Sequence, residues 1–294
     1  MIGTNTDYCP LCKGQQLTHH LAYTDDISGQ TFDILRCEKC GLLLTQNPPH
    51  ISAMQPYFND SDATCYQPAK SMVQKWIQHL RDVWNKEQVK IVCQESQRNS
   101  GVLLEIGSKQ GYFANAMRNS GWITHSVERD TTAREYGNKR FLLQTDDIRK
   151  MFEIKARSYN VVVAWDTLGE AVDMHHTLDK LSQLIVSDGT LIIAFDNAAC
   201  DNASLYGADW NGWNAPRKRF HLTPTTFETL VKQHNMEIVN IRHSSHYDFM
   251  TTVMSRCHKQ GNSNILLLWW QVFKEKLTAP GKHNYYIYTL KHQQ

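Results

Sequence analysis

Four of the eight cysteines in this 294-residue chain form two C-x-x-C pairs, a spacing at which thiolates share one metal ion. The pairs are Cys9 with Cys12 and Cys37 with Cys40, and the alternating segment TFDILRC before the second pair predicts a strand. Two such turns complete a tetrahedral shell, which is the layout of a zinc ribbon. Because the protein fills all four positions, we expect a structural zinc rather than a catalytic one. Two disulfides or unliganded cysteines are the alternatives.

A second segment whose residues could bind a cofactor lies at 103–113, LLEIGSKQGYF. An apolar strand reaches Glu105 there, and a loop with two glycines follows. This loop contains neither G-x-G-x-x-G nor G-K-[ST], so dinucleotide phosphates and a P-loop are poorly supported. The next predicted strand ends in Glu128, at a distance suited to ribose hydroxyls. The third ends in Asp146 and Asp147, placed to meet an adenine amino group.

The elements that must position these residues alternate between strand and helix from residue 101 onward, and the strands are apolar. This rhythm predicts an α/β fold with an open, doubly wound sheet. We predict a ribbon at 1–48, a connector and linking helix at 49–99, and the main α/β domain at 100–294. A polar, Trp-rich loop is expected at 201–222, and the apolar stripe of the linking helix, Val83 included, is expected to be buried.

The composition narrows the partners. The formal net charge is only +2, so nothing indicates a polybasic nucleic-acid surface, and nucleic acid is an unlikely partner. The N-terminus lacks the layout of a secretion signal, and the longest apolar run, ILLLWW at 265–270, is far shorter than the roughly 20 residues of a membrane span. We expect a cytoplasmic protein without a membrane partner, and its oligomeric state is left open.

Residues 101–294 resemble the class I S-adenosyl-L-methionine (SAM)-dependent methyltransferases, whose first motif is an acidic residue followed by G-x-G-x-G. Glu105, Gly107 and Gly111 match it, and Lys109 replaces the middle glycine. With the ribbon included, the chain is similar to zinc-ribbon methyltransferases found among sugar and small-molecule tailoring enzymes. Their W…P-R-H-L-x-H-F-[ST] segment is matched by Trp213, Pro216, Arg217, His221 and Thr223.

The resemblance implies a Rossmann-like methyltransferase sheet, SAM as cofactor, and methyl transfer to a small molecule such as a nucleotide-linked sugar or a natural-product intermediate. It implies His221 as the foremost acid–base residue, with Glu170 and Asp166 behind it, and Arg217, Trp213 and Tyr57 as substrate-binding residues. The implied SAM-binding residues are Glu105, Gly107, Ser108, Lys109, Gly111, Tyr112, Glu128, Asp146, Asp147 and Trp165.

Two departures from the family pattern leave alternatives open. The Lys109 ammonium reaches the cofactor carboxylate or the substrate, or it points to solvent. The family's usual Leu-Glu-His motif after the fourth strand is altered, because Gly169 and Glu170 occupy the positions of its Glu and His. His221 has a structural alternative as a hydrogen-bonding residue of its loop. Two competing functions are possible readings of the sequence. One is an RNA methyltransferase in which the basic run PRKR, residues 216–219, binds phosphates. The other is a catalytically inactive, methyltransferase-like scaffold.

Overall fold

The computed structural model describes residues 7–58, 72–260 and 283–293, and the strands within these ranges form two sheets. A four-stranded sheet has the order β1-β2-β3-β9 and a seven-stranded sheet has the order β10-β11-β8-β7-β4-β5-β6. The strands are β1 (Leu17–Thr24), β2 (Thr31–Cys37), β3 (Leu43–Thr45), β4 (Val102–Ile106), β5 (Ile123–Glu128), β6 (Thr145–Asp147), β7 (Tyr159–Trp165), β8 (Ile185–Asp196), β9 (Phe220–His221), β10 (Met236–His243) and β11 (Tyr285–His292).

The large sheet confirms the predicted α/β fold and adds a mixed edge. Strands β8, β7, β4, β5 and β6 run parallel, whereas β11 is antiparallel to both β8 and β10. Residues 161–164 of β7 are almost completely buried, as expected for a parallel strand covered on both faces. Strand β4 lies between β5 and β7, so the strand order reverses there and the loop after β4 opens at the switch point.

Seven α-helices lie within the described ranges: α1 (Met72–Ser96), α2 (Tyr112–Asn119), α3 (Thr131–Phe141), α4 (Met174–Leu184), α5 (Asp201–Tyr206), α6 (Pro224–Val231) and α7 (Ser245–Gln260). None of these described helices has the length and apolar character needed to cross a membrane. The amphipathic stretch around residues 264–277, and with it ILLLWW, lies outside the described residues.

Two expectations about local structure were wrong. Residues 201–222 are not simply a loop, because they contain α5 and β9. The buried side chains of Ala203 and Tyr206 pack with the ribbon, a tertiary contact that the polar sequence does not signal. Val83 of α1 is exposed, whereas Trp84 of the same stripe packs against the core together with Ile91 and Val92, so the expectation fails at Val83.

The ribbon is built into the α/β domain. Its antiparallel strands β1, β2 and β3 are extended by β9, with Leu44 opposite Phe220 and Leu43 opposite His221. Leu42 and Leu44 also belong to the same buried cluster as residues of β4, β7 and β8. The domain boundary at residue 48 stays a prediction, but the ribbon sheet takes its fourth strand from the main domain.

Arg217 fastens the tip of the ribbon to the main domain. Its guanidinium donates to Asp25 Oδ1, to the Tyr57 carbonyl and to Asn214 Oδ1, each at 2.6 Å. The side chain of Asp25 is completely buried and that of Arg217 is 11% exposed. Burial alone would raise the pKa of Asp25, but hydrogen bonds from Ser28 and the charge of Arg217 outweigh burial and lower it. Both ions are therefore charged and paired inside the protein.

We predict that Arg217→Met lowers the free energy of unfolding by about 3–5 kcal/mol, because it leaves the buried Asp25 carboxylate without its counter-ion. Arg36→Met is the matched control, since Arg36 is an exposed residue of β2, and it should change stability by about 0.5 kcal/mol or less. Urea unfolding of both variants measures the difference, and equal stabilities would show that the ion pair does not hold the ribbon.

Candidate functional site

The loop after β4 has an alternating left-handed backbone. Gly107, Lys109 and Gly111 have φ values of 72°, 50° and 76°. A Cβ at Gly107 would lie 2.7 Å from Thr167 Oγ1, and one at Gly111 would lie 2.5 Å from a methyl group of Leu143. Gly107 is therefore required by space as well as by conformation, whereas the Leu143 methyl is the end of a flexible side chain, so at Gly111 the left-handed backbone is the main requirement. Lys109 holds a conformation that favours glycine, at a cost of roughly 1–2 kcal/mol.

Glu128 closes this loop from the neighbouring strand. Its carboxylate accepts hydrogen bonds from the backbone N–H groups of Lys109 and Arg129, both at 2.6 Å, and of Asp130 at 2.8 Å. Beneath the loop, burial and the negative charge of Glu128 raise the pKa of Glu105 to about 8. Glu105 Oε2 has no hydrogen-bond partner among the described residues. Two acidic side chains thus lie against the loop, Glu128 hydrogen-bonded to it and Glu105 buried.

A cleft of about 360 Å³ opens beside this loop and is lined mainly by polar side chains. Its sheet side carries predicted cofactor and acid–base residues that the fold brings together: Gly107, Lys109, Glu128, Trp165, Asp166 and Glu170. The lining also includes Ile27 of the β1–β2 hairpin and Tyr57 and Phe58 of the connector. The cleft therefore lies between the α/β domain and the ribbon.

The floor of the cleft contains carboxylates held by buried partners. Asp166, with φ of 62°, accepts hydrogen bonds at Oδ2 from the Tyr247 hydroxyl at 3.1 Å and the Tyr285 hydroxyl at 3.4 Å. Asp196 forms an ion pair with Lys218, and both side chains are more than nine-tenths buried. Burial raises the pKa of Asp196 to about 6 although Lys218 opposes this. Burial would lower the pKa of Lys218, but Asp196 and Asp166 together raise it.

Asp196, Lys218 and Tyr247 were missed by the sequence analysis. Asp196 had an available signal, because it ends the strand TLIIAFD just as Glu128 and Asp166 end or follow theirs. Lys218 lies in the PRKR run, next to the residue that was singled out. Nothing local marked Tyr247, which reaches the cleft only because α7 packs beside β11.

His221 lies outside this cleft, although it was the foremost predicted acid–base residue. It is 3% exposed, and its Nε2 lies 3.0 Å from Thr45 Oγ1, whose hydroxyl donates to the Lys218 carbonyl. Burial and the Lys218 charge lower the pKa of His221 to about 3, so its ring is neutral near pH 7. His221 borders instead a small cavity of about 10 Å³ that Asp166 and Asp196 also line. This placement fits the structural alternative for His221.

Several other predicted residues have structural partners. Trp213 is 1% exposed, donates its ring N–H to the Gly207 carbonyl and lies outside the cleft lining. Tyr57 lines the cleft, and its hydroxyl donates to Gln30 Oε1 at 2.6 Å. Arg217 also lines the cleft, but it is committed to the ribbon as described above. Of the three predicted substrate-binding residues, two face the cleft.

The remaining predicted cofactor residues lie around the loop or away from it. Ser108 is buried, and its hydroxyl has no partner among the described residues. The Tyr112 hydroxyl lies 3.0 Å from that of Tyr136, and burial raises the pKa of Tyr112 to about 12. Asp146 pairs with Lys150, and Asp147 pairs with Arg149, which lowers the pKa of Asp147 to about 2. Neither aspartate lines the cleft.

An apolar cavity of about 320 Å³ adjoins the cleft, and Thr167 lines both. Ile148, which follows Asp147, contributes to its wall together with Leu168 and Ala171. Phe152 and His176 also line it, and their rings stack with centroids 4.8 Å apart. The cavity thus begins where the predicted adenine-binding strand ends, and it offers apolar surface rather than the two carboxylates expected there.

The four paired cysteines form a compact cluster. The Sγ atoms of Cys9, Cys12, Cys37 and Cys40 all lie within 4.8 Å of one another, and none forms a disulfide. Tetrahedral coordination with zinc–sulfur bonds of about 2.3 Å places sulfurs about 3.8 Å apart, so the cluster has suitable dimensions. Burial raises the pKa of Cys9 to about 11, so without a metal its thiol stays protonated. His19 and His20, which lie between the two cysteine pairs and are alternative metal ligands, are not part of this cluster among the described residues.

Comparison with known proteins identifies the fold and the family. The profile of the methyltransferase domain family matches residues 76–241, and the chain belongs to that family. The structure is similar to magnesium protoporphyrin IX methyltransferase from Synechocystis PCC 6803, solved with bound S-adenosylhomocysteine (SAH): identity 11%, coverage 83% of this chain and 99% of that one, TM-score 0.53.

A putative S-adenosylmethionine-dependent methyltransferase from Listeria monocytogenes is 12% identical, with coverage of 74% of this chain and 100% of that one and a TM-score of 0.50. At such identities these similarities concern the fold. No curated protein matches the chain in sequence. The chain is therefore a member of the methyltransferase domain family with a Rossmann-like fold.

The left-handed backbone of Lys109 leads to a stability prediction. Lys109→Gly should be more stable than Lys109→Ala by about 0.5–1 kcal/mol, because only the alanine keeps a Cβ in the left-handed region. Both variants lack the ammonium, so their comparison isolates the backbone effect. The same pair of substitutions at Gln110, whose φ is negative, is the control and should favour alanine. Thermal or urea unfolding decides, and a more stable Lys109→Ala would contradict the assigned strain.

Proposed function

We propose that this protein transfers a methyl group from SAM to a polar small molecule bound in the 360 Å³ cleft. The observation that carries the proposal is the left-handed loop at residues 107–111, which Glu128 closes and which borders the cleft at the switch point of the sheet. SAM supplies a methyl group that its sulfonium has already activated. The protein must hold the cofactor, align the acceptor and exclude water.

The residues that would hold SAM divide between the two cavities. The Glu128 carboxylate lines the cleft, and after accepting three backbone N–H groups it has one lone pair left, on Oε2, for a ribose hydroxyl. The apolar cavity beside Thr167 suits the flat adenine ring better than Asp146 and Asp147 do, because both carboxylates are already paired with basic side chains. Lys109 lines the cleft and carries the positive charge that would meet the cofactor carboxylate.

The acceptor side of the cleft supports a polar substrate. Asp166, Asp196 and Glu170 offer carboxylates, and Asn211 and Asn214 offer amides. Asp166 and Glu170 border the cleft directly, whereas His221 does not, so we assign removal of the acceptor proton to a carboxylate. A nucleotide-linked sugar or a natural-product intermediate with hydroxyl or amino groups would meet these requirements.

The positions of the basic residues favour this proposal over RNA methylation. Arg217 is paired with Asp25, Lys218 with Asp196, and Arg219 donates to the Pro49 carbonyl at 2.7 Å. All three cations of the PRKR run are therefore engaged inside the protein and offer little to phosphates.

The direct test is calorimetry with SAM and SAH. We expect both to bind, and Glu128→Gln to weaken binding roughly ten- to a hundredfold, because charge-assisted hydrogen bonds of about 1.5–3 kcal/mol are lost. Glu135→Gln, on the exposed face of α3, is the matched control and should bind normally. Absence of binding by the wild-type protein would rule out the enzyme and leave the scaffold as the function.

We also propose that Cys9, Cys12, Cys37 and Cys40 bind one structural zinc ion, supported by their four mutually close and unpaired sulfurs. The shell is complete, so the ion would stabilise the ribbon without taking part in methyl transfer. Elemental analysis should find one zinc per chain. Cys12→Ser should lower the zinc content and the melting temperature. Cys93→Ser, at a cysteine outside the cluster, should leave the zinc content and the folding of the ribbon unchanged. Zinc content unchanged in Cys12→Ser would refute the site.

A further inference from the structure

We propose that the floor of the cleft is an ammonium-binding subsite, in which Asp166 and Asp196 bind a protonated amine of the methyl acceptor. This inference rests on the proposed function and names the class of its substrate: a small, hydroxylated molecule that carries a primary or secondary amine. The carrying observation is that each carboxylate lines the cleft and keeps one oxygen without a hydrogen-bond partner among the described residues.

Asp166 is held in place through only one of its two oxygens. The hydroxyls of Tyr247 and Tyr285 donate to Oδ2, and their rings stack with centroids 3.7 Å apart, which fixes both donors. Oδ1 has no partner in the described part of the chain, although the side chain is 93% buried. A buried carboxylate oxygen without a donor is costly, and a ligand that brings N–H groups would remove that cost.

Asp196 shows the same division of roles. Lys218 pairs with Oδ2, while Oδ1 has no partner among the residues described. Lys218 also donates to the Gly212 carbonyl at 3.3 Å, so its ammonium is held by two acceptors. The lysine therefore orients Asp196 and leaves its second oxygen to a ligand.

The local charge distinguishes an amine from a neutral or acidic ligand. Negative charge is in excess along the cleft, because its lining contains five carboxylates and three cations: Glu128, Asp130, Asp166, Glu170 and Asp196, against Lys109, Arg217 and Lys218. The hydrogen-bond partners of Asp166 are neutral hydroxyls, so no cation among the described residues is hydrogen-bonded to it. A protonated amine supplies both the positive charge and several N–H donors, whereas a hydroxyl supplies one donor and no charge. A carboxylate or phosphate would be repelled.

Three sugars that share a pyranose ring test this proposal: D-glucosamine, D-glucose and D-glucuronate. Each is titrated into the wild-type protein saturated with SAH, and binding is followed by calorimetry or saturation-transfer NMR. We expect glucosamine to bind at least about tenfold more tightly than glucose, equivalent to about 1.4 kcal/mol. Glucuronate should bind most weakly.

Asp166→Asn is the decisive variant. The amide oxygen can still accept from Tyr247 and Tyr285, so the fold is retained, but an NH₂ replaces the unpaired oxygen. The preference for glucosamine should fall about tenfold while SAH binding persists. Asp82→Asn, on the exposed face of α1, is the matched control. The pair Asp196→Asn with Lys218→Met tests the second carboxylate without leaving a buried lysine unpaired, and it should reduce the same preference.

The outcomes separate this inference from the proposed function. Equal binding of glucosamine and glucose, or no binding of glucosamine, overturns the ammonium subsite while SAH binding keeps the proposed function standing. An unchanged preference in Asp166→Asn also overturns it. Failure of SAH to bind the wild-type protein overturns the proposed function itself.

Discussion

The attachment of residues 217–221 to the ribbon determines the shape of this protein around its cleft. Within five residues, Arg217 pairs with buried Asp25, Arg219 bonds to the connector, and Phe220 and His221 add a strand to the ribbon sheet. Because the same segment carries Lys218 into the floor of the cleft, the ribbon and the candidate site share one anchoring element. A change that loosens this segment therefore affects the cleft wall and the cleft floor together.

The cleft concentrates buried charge, which proteins tolerate only when partners are supplied. Glu128 is satisfied by backbone N–H groups, whereas Asp196 pairs with a lysine through only one of its two oxygens. Asp166 and Glu105 are less completely satisfied, and Lys109 and Asp166 both have left-handed backbones. Strain and unpaired polar atoms of this kind cluster where a protein binds ligands. Their coincidence around one cavity supports the proposed site more strongly than any single residue does.

The contact between the ribbon and the main domain explains the role of the W…PR…H segment. The W…PR…H segment was read from resemblance as a substrate-binding region, yet Trp213 and His221 are buried and Arg217 is bound to the ribbon. In this structure the segment joins two parts of the chain. Three of its residues, Asn214, Arg217 and Lys218, line the cleft.

The sequence predicted those features of the fold and the site that depend on interactions between residues close together in the chain. The alternation of apolar strands and helices predicted the α/β sheet, and the C-x-x-C spacing predicted four sulfurs close together, because both patterns depend on local geometry. The placement of Glu105, Gly107, Glu128 and Asp166 was also accessible, since the carboxyl ends of parallel strands converge at one edge.

Tertiary structure alone decided the rest. Lys218 enters the cleft, Arg217 turns to Asp25, and His221 is enclosed in a strand. The sequence lists these residues side by side in one basic run, so no local pattern separates them. The directions of Arg217 and His221 depend on contacts with residues 160–192 positions away, and that of Lys218 depends on Asp196, 22 positions away. Only the folded chain brings those partners together.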